Sequence, residues 1–250
     1  MNEMRSLILT EAKLVFREPI TWLAAIALPT VILLIFGSIF GATKPDEALG
    51  GLRFIDVFVP SLVVITVGTL GIQTLPIRLA TYREKGVLRR LSTTPVDPSR
   101  LLVAQLVIYM ATAIVALVLL VIVANVAYGV PLPQQPAYYV AAFLLGMGSL
   151  YAIGLLVAAL APSNRVATAI SIPLFFVVMF LGGVYLPRVY LPDVLVKIGD
   201  FTPPGVQGLQ DAWFEAMPQL LPLVGMTLIT AVVGALAVRV FRWEDRKSVV

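Results

Sequence analysis

Residues 101–127 read LLVAQLVIYMATAIVALVLLVIVANVA, an apolar run without a single charged side chain. A helix needs about 20 consecutive apolar residues to cross roughly 30 Å of hydrocarbon, and this run is longer than that. It is therefore predicted to be a membrane-spanning helix. Its excess length indicates that the helix tilts in the bilayer or emerges from it.

Five further runs of the same character accompany this one. Of the 250 residues, 59% are hydrophobic and 13% are charged, whereas soluble domains average about 45–50% and about 25%. So few charges cannot solvate a globular surface, which leaves lipid as the solvent. The sequence predicts an all-α integral membrane protein that forms a single transmembrane domain over residues 1–250. Its six spans are expected at 20–40, 57–77, 101–127, 137–161, 166–186 and 219–240.

The N-terminal segment at 2–18, NEMRSLILTEAKLVFRE, mixes charged and apolar side chains. On a helical wheel the apolar residues share one broad face and most polar residues share the other, although Glu11 intrudes on the apolar face. This pattern predicts an amphipathic helix that lies in the membrane interface. The alternative is that these residues form the cytosolic start of the first span.

The distribution of Lys and Arg predicts which segments face the cytosol. With the N-terminus in the cytosol, fourteen of the 18 basic residues lie in inner segments. The outer segments hold only Lys44, Arg53, Arg188 and Lys197. This excess predicts that both termini lie in the cytosol. We expect a multi-pass protein of the plasma (inner) membrane.

Several kinds of chemistry are excluded by residues that the chain lacks. It has neither cysteine nor histidine, which excludes disulfides, imidazole metal sites and Ser-His catalysis. No ionisable residue lies near the middle of a predicted span, and this argues against an intramembrane protease and against a carrier driven by protons or sodium. A GxxxxGK(S/T) phosphate loop is absent too, so any driving ATP must bind to another subunit. We expect no cofactor, no metal, no enzymatic activity and no nucleic-acid partner.

The polar residues inside the predicted spans are uncharged. We expect them to bond their own helix backbone or a neighbouring helix rather than a ligand. They are Thr66, Thr69, Gln73, Gln105, Thr112, Ser149, Thr168 and Ser171.

The cytosolic loop at 78–100, RLATYREKGVLRRLSTTPVDPSR, is the most informative inner segment. Its charged residues surround a few apolar ones, Gly86 interrupts the helical pattern, and Pro95 and Pro98 end it. A short amphipathic helix of this type fits a groove on a protein partner. The alternative is a positive-inside loop that only fixes the topology.

The run YREKGVLRRLSTTPVDPSRLLVAQ at 82–105 resembles the stretch after the second span of ABC type-2 transporter permeases. There an acidic residue, a glycine, an apolar residue and a basic-rich LRRL precede a TTP and the third span. The GGVYLP and FTPPG portions of 182–213 also resemble that family, although Gln207 and Gln210 stand where it often has arginine. Within the family, the sequence is most similar to the daunorubicin-resistance type of drug-export permease.

This resemblance implies the membrane subunit of an ATP-driven exporter whose cargo is amphiphilic, such as a drug, an antibiotic, a lipid or a glycolipid. The external segment 187–218 would form short helices that dip partly into the outer leaflet. Two copies of a cytosolic ABC ATPase and a second permease copy or a paralogue would complete the complex, surrounded by membrane lipid. The 78–100 segment would be a coupling helix seated in a cleft of the ATPase, with contacts from Arg83, Glu84, Lys85, Gly86, Arg89 and Arg90.

Two other classes of function remain as alternatives. One is a membrane transporter or channel subunit that is not driven by ATP, and the other is a membrane-embedded enzyme. Co-purification of an ATPase discriminates the exporter from the first of these.

Overall fold

The computed structural model describes residues 2–17, 19–39, 43–87, 99–185, 191–200, 206–214 and 220–240. Within these ranges the chain is helical, and the extended backbone pairs only in an isolated bridge between Pro45 and Arg53. Besides a short 3-10 helix at Glu47–Leu49, the helices of the described residues are α1 (Asn2–Arg17), α2 (Pro19–Gly37), α3 (Phe54–Glu84), α4 (Ser99–Tyr128), α5 (Pro136–Leu160), α6 (Asn164–Leu181), α7 (Asp193–Asp200), α8 (Val206–Phe214) and α9 (Leu220–Val240).

The predicted all-α integral membrane fold is confirmed. Helices α3, α4, α5, α6 and α9 are long and apolar enough to cross a membrane. The predicted first span falls on α2, whose apolar part in the described residues is the shorter stretch Ala25–Gly37. Helix α4 has 30 residues, which gives a length of about 45 Å. This exceeds the hydrocarbon thickness of about 30 Å, as expected for a helix that tilts or emerges.

Helix α3 forms the centre of the bundle. Over the most apolar 18 residues of each helix, 78% are buried in α3, against 22% in α4 and 11% in α9. Helix α5 packs along both α3 and α9, while α4 packs against α1, α2 and α3. The peripheral helices consequently present apolar side chains such as Val115 and Val232 on their outer faces.

Helix ends meet on two sides of the bundle. On one side, the Tyr128 hydroxyl at the end of α4 donates a hydrogen bond to the Leu34 carbonyl near the end of α2, and Arg53 precedes α3. We call this side the Arg53 end. On the other side α3 finishes beside the α5–α6 turn, and we call this side the Glu84 end.

The central helix is longer than the sequence predicts. It continues to Glu84, beyond the expected end of the second span at residue 77. The predicted 78–100 segment therefore begins as part of the transmembrane helix. Residues 88–98 of that segment lie outside the described residues.

Two short helices, α7 and α8, lie within the predicted external segment 187–218. Helix α8 closes the Arg53 end of the bundle, with Leu209, Ala212 and Trp213 buried against its neighbours. The Trp213 indole N–H donates to the Pro131 carbonyl at 2.7 Å, and its ring meets the Tyr139 ring edge-on with 5.2 Å between centroids. The aromatic contacts fix α8 beside the start of α5.

Candidate functional site

The predicted coupling residues lie at the Glu84 end, where α3 stops. Helix termination follows from local geometry: the backbone N–H of Lys85 donates to Thr81 and that of Gly86 to Arg83. Gly86 has φ +65°, a left-handed conformation that favours glycine at a helix C-terminus. Of the six predicted contact residues, the structure describes Arg83, Glu84, Lys85 and Gly86, whereas Arg89 and Arg90 lie outside the described residues.

Arg83 joins α3 to the end of α5. Its Nη1 donates to the Ala161 carbonyl at 2.6 Å and its Nη2 donates to the Ala158 carbonyl at 3.2 Å. The last carbonyls of a helix have no partner within it and carry partial negative charge. The Arg83 guanidinium supplies hydrogen-bond donors to these carbonyls and a positive charge beside their partial negative charge.

Glu84 joins α3 to the start of α6. One carboxylate oxygen accepts a hydrogen bond from the backbone N–H of Asn164 at 2.8 Å. The Asn164 side-chain amide donates to the Thr81 hydroxyl at 2.6 Å, and Ser163 caps α6 by accepting from the Val166 N–H. A carboxylate is favourable at a helix N-terminus, where the backbone N–H groups carry partial positive charge.

The resemblance implies ATPase contacts for Arg83 and Glu84, and in the structure both side chains also make hydrogen bonds within the chain. Arg83 and Glu84 reach residues about 80 positions away, so no local pattern reveals the contact. Thr81 and Asn164 were not predicted as members of the site. The Ser-Asn pair before the apolar run of α6 is an ordinary capping signal, and it was the available pointer to this turn.

Lys85 differs from its two neighbours. Its side chain is exposed, and no hydrogen bond or ion pair of this ammonium occurs among the described residues. In the same turn region, Arg165 of α6 is also exposed. These two cations give the Glu84 end a basic surface that a partner can reach.

The N-terminal helix is attached to the same end of the bundle. Glu11 of α1 is 5% exposed, and its carboxylate accepts a hydrogen bond from the Tyr82 hydroxyl at 2.9 Å. Arg78 donates to the same hydroxyl at 3.3 Å, and its guanidinium carbon lies 5.2 Å from the centroid of the Tyr82 ring. The glutamate that intrudes on the apolar face of α1 thus links this helix to α3 by a hydrogen bond.

A second arginine fastens the Arg53 end. The Nη2 of Arg53 lies 2.6 Å from the Oδ1 of Asp56, and the guanidinium also donates to the carbonyls of Tyr128 and Gly129 at the end of α4. The hydrogen bond to Asp56 raises the pKa of Arg53 above its ordinary value, so the guanidinium stays charged. Each end of α3 is therefore tied by an arginine to the C-terminus of a different helix.

The polar residues of the spans follow the prediction in part. The hydroxyls of Thr66, Thr69, Thr112 and Ser149 donate to carbonyls of their own helices, which confirms the prediction for these four. By contrast, the Gln105 amide and the Ser171 hydroxyl are buried and lack a hydrogen-bond partner among the described residues. No group of three His, Cys, Asp or Glu side chains suitable for a metal is found in the described part of the chain.

Comparison with known proteins gives one finding. A family model described as ABC-2 type transporter matches residues 2–204. The match includes the helices from α1 to α7 and every described residue of the Glu84 end. No curated protein matches the sequence.

Proposed function

The chain belongs to the ABC-2 type transporter family, and from this premise we propose that it is the permease of an ATP-driven exporter. Family membership makes it a transmembrane subunit of an ABC-type transporter that lacks its own ATPase site. The observation that carries the proposal is the Glu84 end. There the central helix finishes in a rigid turn that is fixed to two neighbouring helices and bears an exposed cation.

The proposed contact with the ATPase runs along residues 83–90. Lys85, Arg89 and Arg90 provide its positive charge, and Gly86 provides the turn. Arg83 and Glu84 fasten the turn to α5 and α6 through their hydrogen bonds. A displacement of the turn by the ATPase is thereby transmitted to three spanning helices at once.

The assembly and the cargo follow from the same proposal. Two ATPase subunits act on two permeases, the second being another copy of this chain or a paralogue, because membrane oligomers usually close symmetrically. The spans hold no ionisable residue near their middle, so the route suits an amphiphilic drug, antibiotic, lipid or glycolipid better than a small ion. The complex works in the plasma (inner) membrane, with both termini of the permease in the cytosol.

Charge reversal at Lys85 tests the proposed function. We expect the intact chain, purified from its own cells, to carry an ABC ATPase with it. Because Lys85→Glu replaces an exposed cation by an anion, it should weaken the binding of that ATPase about tenfold, or about 1.4 kcal/mol. The affinity is measured by titrating labelled ATPase onto the permease in nanodiscs.

Lys44→Glu is the matched control, since Lys44 is an exposed lysine near the Arg53 end of α3, and it should leave the affinity unchanged. If no ATPase accompanies the wild-type chain and cargo efflux continues without ATP, the exporter proposal fails and a transporter or channel not driven by ATP replaces it.

Single cysteines test the proposed orientation, because the native chain has none. Gln134→Cys lies at the Arg53 end and Arg165→Cys at the Glu84 end, and both positions are exposed. In intact cells a membrane-impermeant maleimide should label the first at once and the second only after the membrane is permeabilised. The reverse pattern would invert the topology and remove the Glu84 end from the cytosol.

A further inference from the structure

The central helix changes its winding midway along its length. Between the α-helical parts Phe54–Gly68 and Leu75–Glu84, residues Thr69–Thr74 form a π-helix. The Leu75 N–H donates a hydrogen bond to the Leu70 carbonyl, five residues back. The Thr74 hydroxyl donates to the Thr69 carbonyl at 3.0 Å. Wider turns of this kind are rare and recur at functional positions in helices.

The π-helical segment meets α5 with backbone against backbone. A Cβ at Gly154 would overlap the carbonyl oxygen of Gly71, and a Cβ at Gly71 would overlap the Tyr151 ring. Small residues allow two helices to approach this closely. The crossing is made by backbone atoms, with the Tyr151 ring packed against Gly71, so one helix can turn on the other with few side chains to repack.

Helix α6 is weakened at the same level. Phe175 and Met179 pack on Gly68, which precedes the π-helical segment, and Pro173 lies nearer the Glu84 end than they do. Proline removes one backbone hydrogen bond and permits a kink. The adjacent Ser171 hydroxyl is fully buried without a partner in the described residues, so the polar groups of this layer are not all satisfied in the present arrangement.

The two parts of α3 are tied to different neighbours. The part before the π-helical segment is fastened through Arg53 to the end of α4. The part after it is fastened through Arg83 and Glu84 to the α5–α6 turn, and through Tyr82 to α1. Between these two attachments lie the π-helical segment, the Gly71–Gly154 crossing and Pro173.

We infer that the π-helical segment Thr69–Thr74 is a hinge, about which the Glu84 half of α3 and the α5–α6 turn swing as one body relative to the Arg53 half. The inference rests on the proposed function only for the force, which the ATPase supplies. The arm from Gly71 to Lys85 is about 21 Å long. A tilt of about 20°, the size of an ordinary helix kink, moves its tip by about 7 Å.

Distances between paired spin labels test the hinge in the complete chain in nanodiscs. The label pair 85/165 lies within the proposed moving body, whereas the pair 85/134 spans the hinge. Both pairs share position 85, so the mobility of that label contributes equally to each. In the permease alone, we expect the 85/134 distance distribution to be broader than the 85/165 distribution.

With the ATPase and a non-hydrolysable ATP analogue, the 85/134 distance should shift while the 85/165 distance stays fixed. The tip moves mainly across the helix axis, so the 85/134 shift is a fraction of its displacement of about 7 Å. Pro173→Ala restores a backbone hydrogen bond in α6 and should narrow the 85/134 distribution, whereas Pro29→Ala in α2 should not. Equal widths for the two pairs in the permease alone would overturn the hinge without reference to the ATPase. Loss of the nucleotide response alone, with the broad 85/134 distribution retained, would support the hinge and count against the proposed function.

Discussion

Gly154→Ala is expected to separate α3 from α5 and to destabilise the bundle severely. The added methyl group would overlap the Gly71 carbonyl oxygen and lie 2.9 Å from the carbonyl carbon. These are backbone atoms of the buried central helix, so no side-chain rotation relieves the overlap. Overpacking of a core costs about 1–3 kcal/mol and occasionally more, and we place this substitution at the upper end of that range.

Two other glycines of the spans provide graded controls. At Gly148 a Cβ would meet the Thr230 side chain at 3.3 Å, which a small shift accommodates, so Gly148→Ala should cost little. At Gly225 nothing lies within 4 Å, and alanine in a helix is favoured over glycine by about 0.5–1 kcal/mol. Thermal unfolding of the three variants in one detergent, followed by tryptophan fluorescence, gives the order. Equal midpoints for Gly154→Ala and Gly225→Ala would contradict the close crossing of α3 and α5.

The spans were predictable from sequence because lipid imposes a simple rule. Any run such as 101–127 that is apolar for its whole length must cross the membrane as a helix or be buried. The same uniformity hides the packing, since a span that is apolar all round carries no period that tells its buried face from its lipid face. The burial of α3 and the exposure of α9 therefore required the structure.

The π-helical segment and the Gly71–Gly154 crossing were not predictable for a related reason. The sequence TLGIQT at 69–74 has nothing that demands a π-helix, and the chain has 18 glycines without a local sign that pairs Gly71 with Gly154. Glu11 is instructive in the other direction. Its position on the apolar face of α1 was visible in the sequence as an inconsistency, and the structure resolves it by the contact with Tyr82.

Arg83→Gln is expected to destabilise the permease itself, before any partner binds. The guanidinium donates to the carbonyls of Ala158 and Ala161 at the end of α5. Hydrogen bonds to charged groups contribute about 1.5–3 kcal/mol, and the shorter, neutral glutamine cannot reproduce the pair. The stability of Arg83→Lys should fall between those of the wild type and Arg83→Gln. An ammonium keeps the charge but lacks the planar guanidinium that can donate to two acceptors at once. The unfolding midpoint of the isolated permease in nanodiscs measures the loss.

Lys85→Gln separates this positioning role from direct contact with the ATPase. Lys85 is exposed at the end of the same helix. Its loss should therefore leave the unfolding midpoint of the isolated permease unchanged while weakening the binding of the ATPase. Arg83→Gln should lower the unfolding midpoint. When the ATPase is bound to this variant, the transport obtained per ATP hydrolysed should also fall, because the turn is no longer fixed to α5. If Arg83→Gln left the midpoint intact and released the ATPase as Lys85→Gln does, Arg83 would be a partner contact and its bonds to α5 would be dispensable. The two substitutions, two positions apart on one turn, thus decide whether Arg83 couples the turn to α5 or contacts the ATPase directly.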